Sequence, residues 1–312
     1  MFYRVPWEQE DRMVQGVTYR EVQVKSALNR VHGMPFDWSL NPWSGCVHSC
    51  TYCYARAYHV RKDRDVGRGF DREIDIKVNL IDHLRAELRK RPAGALAIGT
   101  ATDPYQPIEG KYRLTRRALE LLVEYPMPTS IVTKGTLIVR DIDVLRELDE
   151  RTGGELCVYV SVPTLDREVW RKAEPGTPPP EQRLRALRRL RDAGIDAAVL
   201  CAPVLPGITD DEVSLARVAR AASDAGATAL GWRPLKLDDE IKDYYLDFIS
   251  SEFPVLAPRY AAMYASGPHT GRDYQRELDA KLTRIRSRYG FRERRRLRRE
   301  SPKKAVQLAL AI

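Results

Sequence analysis

The chain has 312 residues, 43% of them hydrophobic, and 52 basic against 43 acidic side chains give a formal net charge of +9. That length suits one large α/β domain with additions at its ends, and the composition is ordinary for a protein with a sizeable core. There is no apolar run of about eighteen residues, and Arg4, Glu8, Glu10 and Asp11 interrupt the start, so neither a membrane span nor a signal peptide is expected. Five cysteines, an odd number, fit metal binding in a reducing cytoplasm better than a disulfide framework. The positive balance favours a polyanionic partner without requiring one.

In chain order, 17–24 alternates weakly and fits a short edge strand. Phe36, Trp38 and Leu40 fall on one side of a clearer strand, which leads into the cysteine-bearing loop 41–56. A helix follows over 54–64, then an alternating stretch at Ile74, Ile76 and Val78, and a helix over 79–91 with Leu80, Leu84 and Leu88 on one face. Strands are expected at 95–99, 129–133, 155–162, 195–202 and 227–232. Helices are expected at 114–122, 141–150, 181–193 and 210–225, and a Pro-rich loop precedes 181. Strands alternating with helices of about 10–15 residues predict some six parallel βα units, whose chemistry would gather at the strand C-termini. Further helices are expected at 239–253, 258–264 and 273–289. The stretch 288–299 then carries seven arginines, before an apolar end at 306–312 that could pack back on the body. Such an arginine run is either a solvated tail or a nucleic-acid contact.

Within 41–56 stand Cys46, Cys50 and Cys53, spaced Cys-x3-Cys-x2-Cys. One loop can wrap three such thiolates around a metal centre, whereas core cysteines have no reason to cluster. A closed zinc site would need a fourth ligand, for which His48 or His59 is available. Three cysteines on an iron–sulfur cube would instead leave one iron open for chemistry.

This motif, with Tyr52 before its last cysteine, resembles the signature of radical S-adenosylmethionine (radical SAM) enzymes. The wider string resembles the branch that contains spore photoproduct lyase and "DNA repair photolyase"-type relatives. The likeness continues through Thr102-Asp103-Pro104-Tyr105-Gln106-Pro107-Ile108-Glu109, Thr133-Lys134-Gly135, Glu174-Pro175 and Ala202-Pro203-Val204-Leu205-Pro206-Gly207. It implies an α/β fold, a partial TIM-like (β/α)6 barrel over 36–232, with an N-terminal extension at 1–35, a helical extension at 233–290 and a basic tail at 291–312.

The resemblance further implies a [4Fe-4S] cluster on Cys46, Cys50 and Cys53. SAM would bind its open iron and be cleaved reductively to a 5′-deoxyadenosyl radical that abstracts hydrogen from a substrate. Tyr52 would lie near the adenine. Thr100, Thr102 and Asp103 occupy the strand end that meets the methionine amino group, although Asp103 before Pro104 is also a good turn starter. Ser161, Lys134 and Arg233 end other strands at the same mouth, where each equally suits a cap or a surface role. A reductant such as flavodoxin or ferredoxin is the implied electron donor.

One departure bears on substrate. Spore photoproduct lyase carries a hydrogen-donating cysteine in the stretch that here reads Thr100-Ala101-Thr102-Asp103, without a thiol. Cys157 and Cys201 lie in apolar strands and read as packing, so Tyr54 and Tyr105 become the candidate radical relays. The functional readings are then a radical SAM enzyme acting on DNA or RNA, one acting on a protein or small molecule, and a zinc-stabilised nucleic-acid-binding module.

Overall fold

Short apolar runs bounded by turn residues form the strands, and amphipathic segments between them form the covering helices. The structure, a computed structural model, describes residues 16–291. The N-terminal segment, the arginine-rich stretch past Phe291 and the apolar end 306–312 lie outside the described residues. The strands are β1 (Thr18–Val22), β2 (Leu28–Arg30), β3 (Trp38–Leu40), β4 (Trp43–Ser44), β5 (Glu73–Lys77), β6 (Leu96–Ile98), β7 (Thr129–Thr133), β8 (Leu156–Ser161), β9 (Ala197–Val204) and β10 (Leu230–Pro234).

The main sheet has the order β10-β9-β8-β7-β6-β3-β2. Every pairing from β3 to β10 is parallel, and only β2 runs antiparallel, to β3. Six consecutive parallel strands with right-sized crossover helices make the partial barrel expected from the sequence. Register runs Trp38↔Leu96, Leu96↔Thr129, Thr129↔Leu156 and Val158↔Ala197. Helices Leu114–Glu124, Ile142–Thr152, Pro180–Asp192 and Glu212–Asp224 lay apolar faces on these strands. Asp211 caps the last of them by accepting from Ser214 N at 2.9 Å.

Three elements depart from the sequence reading or add to it. The alternating stretch at 74–78 is strand β5, but it joins β1 and β4 in a separate three-stranded sheet. Alternation identifies a strand and says nothing of its partner. Strand β4 is two residues long, too short to show any period. Inside the Pro-rich loop before 181 lies a helix, Arg167–Ala173, capped by Asp166 through Glu168 N and Val169 N at 2.8 and 3.0 Å.

The C-terminal helices take part in the core. Helix Arg272–Arg288 packs Leu278, Leu282 and Ile285 into the main core. Helix Asp239–Glu252 brings Ile241, Tyr245 and Ile249 into a second cluster that includes Cys50 and Tyr52.

Candidate active site

Strand β3 ends at Leu40, and the cysteine loop begins at Asn41, at the C-terminal end of the first barrel strand. Asn41 ties it to the neighbouring strand end: its Oδ1 accepts from Ala101 N at 2.7 Å and its Nδ2 donates to Thr100 Oγ1 at 3.3 Å. The chain turns at Gly45 (φ +84°), where a Cβ would sit 2.8 Å from the Glu73 carbonyl and 2.9 Å from that of Phe70. Only glycine fits both the backbone angle and the gap.

Three clamps then fix the loop. On one side, the Thr102 hydroxyl donates to Gly45 O at 2.6 Å. Gln106 receives Val47 N at 3.1 Å while its Nε2 donates to Gly45 O at 3.2 Å. At the far end, the fully buried Arg56 donates to Cys50 O at 3.0 Å, to Val66 O at 2.8 Å and to Asp71 Oδ1 at 2.8 Å, with Phe70 and Tyr244 against its guanidinium. From above, segment 173–177 lies across the loop, with Thr51 N donating to Ala173 O at 3.0 Å and Gly176 N to His48 O at 3.1 Å.

The third clamp is itself anchored by a buried ionic group. Glu174 Oε2 accepts from Arg183 Nη2 at 2.6 Å, while its Oε1 accepts from the Tyr52 hydroxyl and lies 3.7 Å from Lys134 Nζ. Arg183 is fully buried and also donates to Pro178 O at 2.7 Å and Ser161 O at 3.0 Å. Removing two charges from water is costly unless every donor and acceptor is used, and here nearly all are. Lys134 also sits 5.7 Å from the centre of the Tyr52 ring.

Cys46 and Cys50 are buried, Cys53 is half-buried, and all three are free thiols. Burial pushes each thiol up. For Cys46 the Asp103 carboxylate adds to the rise, Cys50 reaches about 12 even with Lys134 and Arg183 opposing it, and Arg56 restrains Cys53. The thiols therefore hold their protons near neutral pH and would release them on metal binding. Burial also opposes the charge on Lys134, but Cys50 and Glu174 beside it leave its pKa raised.

The other expected residues divide. Tyr54, 44% exposed, donates its hydroxyl to the Thr100 carbonyl and stands beside Cys53. Tyr105 is buried with its phenol near Asp141 and Glu109. Asp103 is buried and accepts from Tyr105 N at 2.9 Å, Thr133 Oγ1 at 2.7 Å and Lys134 N at 2.6 Å, with His48 Nδ1 at 3.2 Å. Burial would raise its carboxyl, but His48 and these donors hold it well below the usual range. Ser161 donates to Ala202 O at 3.3 Å, and Arg233 is exposed and bonds the Trp232 carbonyl. Ala101 packs with Cys46, Ala55 and Phe70.

Sequence reasoning gave no role to Arg56, Gln106, Gly176 or Arg183. One signal was present: Arg183, Leu187 and Leu190 share the i, i+4, i+7 face of a helix, and a charge on an apolar stripe asks for a buried partner. Nothing local marks Gln106 or Gly176.

The donor set bears on the choice between zinc and a cluster. His48 faces Asp103 and His59 Nδ1 donates to Gly69 O at 3.0 Å. Among the described residues no three His, Cys, Asp or Glu side chains converge as one ion demands. A multi-iron cluster spreads its thiolates, one per iron, and needs no fourth side chain, so the residues present fit it.

A parallel partial barrel thus carries a three-cysteine loop at the C-terminal end of its first strand. The chain belongs to the Radical SAM superfamily, whose family model matches residues 40–219. It is 36% identical over 280 residues to a protein of Mycobacterium tuberculosis described as uncharacterized, covering 88% of this chain and 82% of that one. It is 28% identical over 175 residues to a "Radical SAM Nalpha-GlyT isomerase" of Pseudomonas phage M6, covering 55% of this chain and 34% of the isomerase. In fold it resembles a spore photoproduct lyase mutant with bound AdoMet and dinucleoside spore photoproduct, at TM-score 0.64 and 17% identity over 87% of this chain and 79% of that one. The chain is thus a radical SAM enzyme. Membership of this superfamily implies SAM, an iron–sulfur cluster and a reductant. Among the described residues no helix is long and apolar enough to cross a membrane.

Proposed function

We propose that the chain cleaves SAM reductively at a [4Fe-4S] cluster on Cys46, Cys50 and Cys53 and abstracts hydrogen from a nucleic-acid substrate. The observation that carries the cofactor reading is the clamped loop, whose three free thiols are held in place by Gln106, Arg56 and segment 173–177. When bound, cluster and SAM together supply a carbon radical able to break an unreactive C–H bond. The chain's own contribution is to hold thiolates in a largely buried pocket, offset their charge with Lys134 and Arg183, and keep water from the radical.

Tyr52, Thr100, Lys134, Ser161 and Arg233 are assigned to SAM. Thr102 and Asp103 are assigned to loop positioning, since the Thr102 hydroxyl and all the Asp103 acceptor positions are engaged within the protein. Of the two tyrosines the geometry favours Tyr54 as radical relay, because it is partly exposed beside Cys53 while Tyr105 is buried beside Asp141 and Glu109. A low-potential carrier such as flavodoxin or ferredoxin would deliver the electron, and oxygen-sensitive thiolate chemistry fits a reducing cytoplasm.

For the substrate, support comes from the net charge of +9 and from the dinucleoside photoproduct bound by the spore photoproduct lyase that shares the fold. Reconstituted protein with SAM and dithionite is expected to make 5′-deoxyadenosine slowly, and faster when single- or double-stranded oligonucleotides are added. Deuterium from a labelled oligonucleotide should appear in the product. A rate unmoved by DNA and RNA but raised by a protein or small-molecule fraction would replace this reading with the second functional class.

A further inference from the structure

Beside the cysteine loop, on the side of the three-stranded sheet, lies a second cavity of about 380 Å³. Lys25, Ser26, Ser44, Lys62, Asp75 and Lys77 line it, and no residue of β6 to β10 does. Its size is that of a small-ligand site. Ser44 stands two residues before Cys46, and Lys77 Nζ donates to the carbonyl of Asn41, the first residue of the loop, at 2.6 Å. The cavity is thus joined to the cluster loop while remaining outside the barrel.

Its charge is unbalanced. Among the described residues, Lys25, Lys62 and Lys77 have no carboxylate within ion-pair distance. The one acid in the lining, Asp75, is held by Arg64 at 2.9 Å and faces Arg20 at 3.5 Å, so it does not neutralise the lysines. Burial and the neighbouring Lys62 bring the Lys77 amine down to about 8, which an anion in the cavity would reverse. Solvated lysines ordinarily point apart. Here three of them, from the β1–β2 connection, from the segment after the helix Arg56–Val60 and from β5, converge on one polar cavity.

We infer that this cavity is a phosphate-binding site, in which Lys25, Lys62 and Lys77 take the anionic oxygens while Ser26 and Ser44 supply neutral donors. Compact ammonium groups around a concave, hydroxyl-lined surface are suited to a phosphate group as point charges. The phosphate belongs either to a nucleic-acid backbone or to a free phosphate compound, and the pocket chemistry is common to both. The site does not depend on the nucleic-acid reading above, because it is defined by its own residues.

The test is calorimetric titration of the full-length protein with inorganic phosphate, with a 5′-phosphorylated dithymidine dinucleotide and with the same dinucleotide after its 5′-phosphate is removed. The exposed pair is changed in one variant, Lys25→Ser with Lys62→Ser. A control, Lys90→Ser with Lys236→Ser, removes the same charge elsewhere. Binding of phosphate is expected to weaken about tenfold or more in the pocket variant, since at least one charge-assisted contact is lost, and to be unchanged in the control. Lys77→Arg, which keeps the charge, should retain binding, and circular dichroism confirms folding in each. Much tighter binding of the phosphorylated dinucleotide than of inorganic phosphate assigns the pocket to a nucleic-acid backbone, and equal affinities assign it to a free phosphate compound. Failure of the parent protein to bind either phosphate probe, or equal losses in pocket variant and control, would overturn the inference. Since no turnover is measured, these outcomes are separate from success or failure of the radical reaction.

Discussion

Gly176 offers a sharp test of how the cysteine loop is held. A Cβ there would lie 2.0 Å from Val47 O and 3.1 Å from the His48 Cα and carbonyl carbon, all backbone atoms of the loop between Cys46 and Cys50. Carbon–oxygen contacts close to about 3.3 Å at best, so Gly176→Ala must push the two segments apart by roughly 1.3 Å. The Gly176 N to His48 O hydrogen bond, 3.1 Å, would be stretched beyond use. Overpacking of this kind destabilises by about 1–3 kcal/mol, which the fold should survive. Misplacing a reacting group by about 1 Å lowers rate on the order of a hundredfold. The variant should therefore be folded by circular dichroism yet poorly loaded with iron, and its 5′-deoxyadenosine formation per iron should fall by about that factor. A variant matching the parent in iron content and in rate per iron would refute the claim that segment 173–177 positions the thiols.

Arg183→Met should destabilise the apo protein by about 3–5 kcal/mol in urea unfolding, because it strands Glu174 in the core, and Glu174→Gln in the same chain should restore part of the loss. Ala at Cys46, Cys50 or Cys53 should abolish iron–sulfur absorbance after reconstitution, while Cys157→Ala and Cys201→Ala, at buried strand positions, should leave it intact. Tyr54→Phe should slow substrate turnover more than Tyr105→Phe, measured against uncoupled SAM cleavage in the same sample. Lys77, with its amine near 8, should be acylated ahead of exposed lysines at mildly alkaline pH, as read by peptide mass spectrometry. Because the unfolded chain binds that proton more tightly, the parent should gain stability relative to Lys77→Met as pH rises from about 8 towards the usual lysine value near 10.4.

Local features could be read along the chain. The period of apolar residues marks β6 to β10 and the helices between them, and the spacing of Cys46, Cys50 and Cys53 alone suggests a metal-binding loop. The sequence left open which role each polar residue at the mouth would take. Asp103 read equally as ligand or turn former, and three of its four partners, Thr133, Lys134 and His48, became visible only once the fold brought them around it. Tyr54 and Tyr105 read alike as phenols on one mouth, yet their hydroxyls point to different environments. The tertiary structure also decided the clamps and the lysine pocket: Gly176 on Val47, Gln106 on Gly45, Lys77 on Asn41. Each is a contact between segments far apart in the chain, set by how the barrel closes and where β5 finds its partner. No local pattern encodes such a contact, because hydrogen bonding and steric fit act across space while periodicity acts only along the chain.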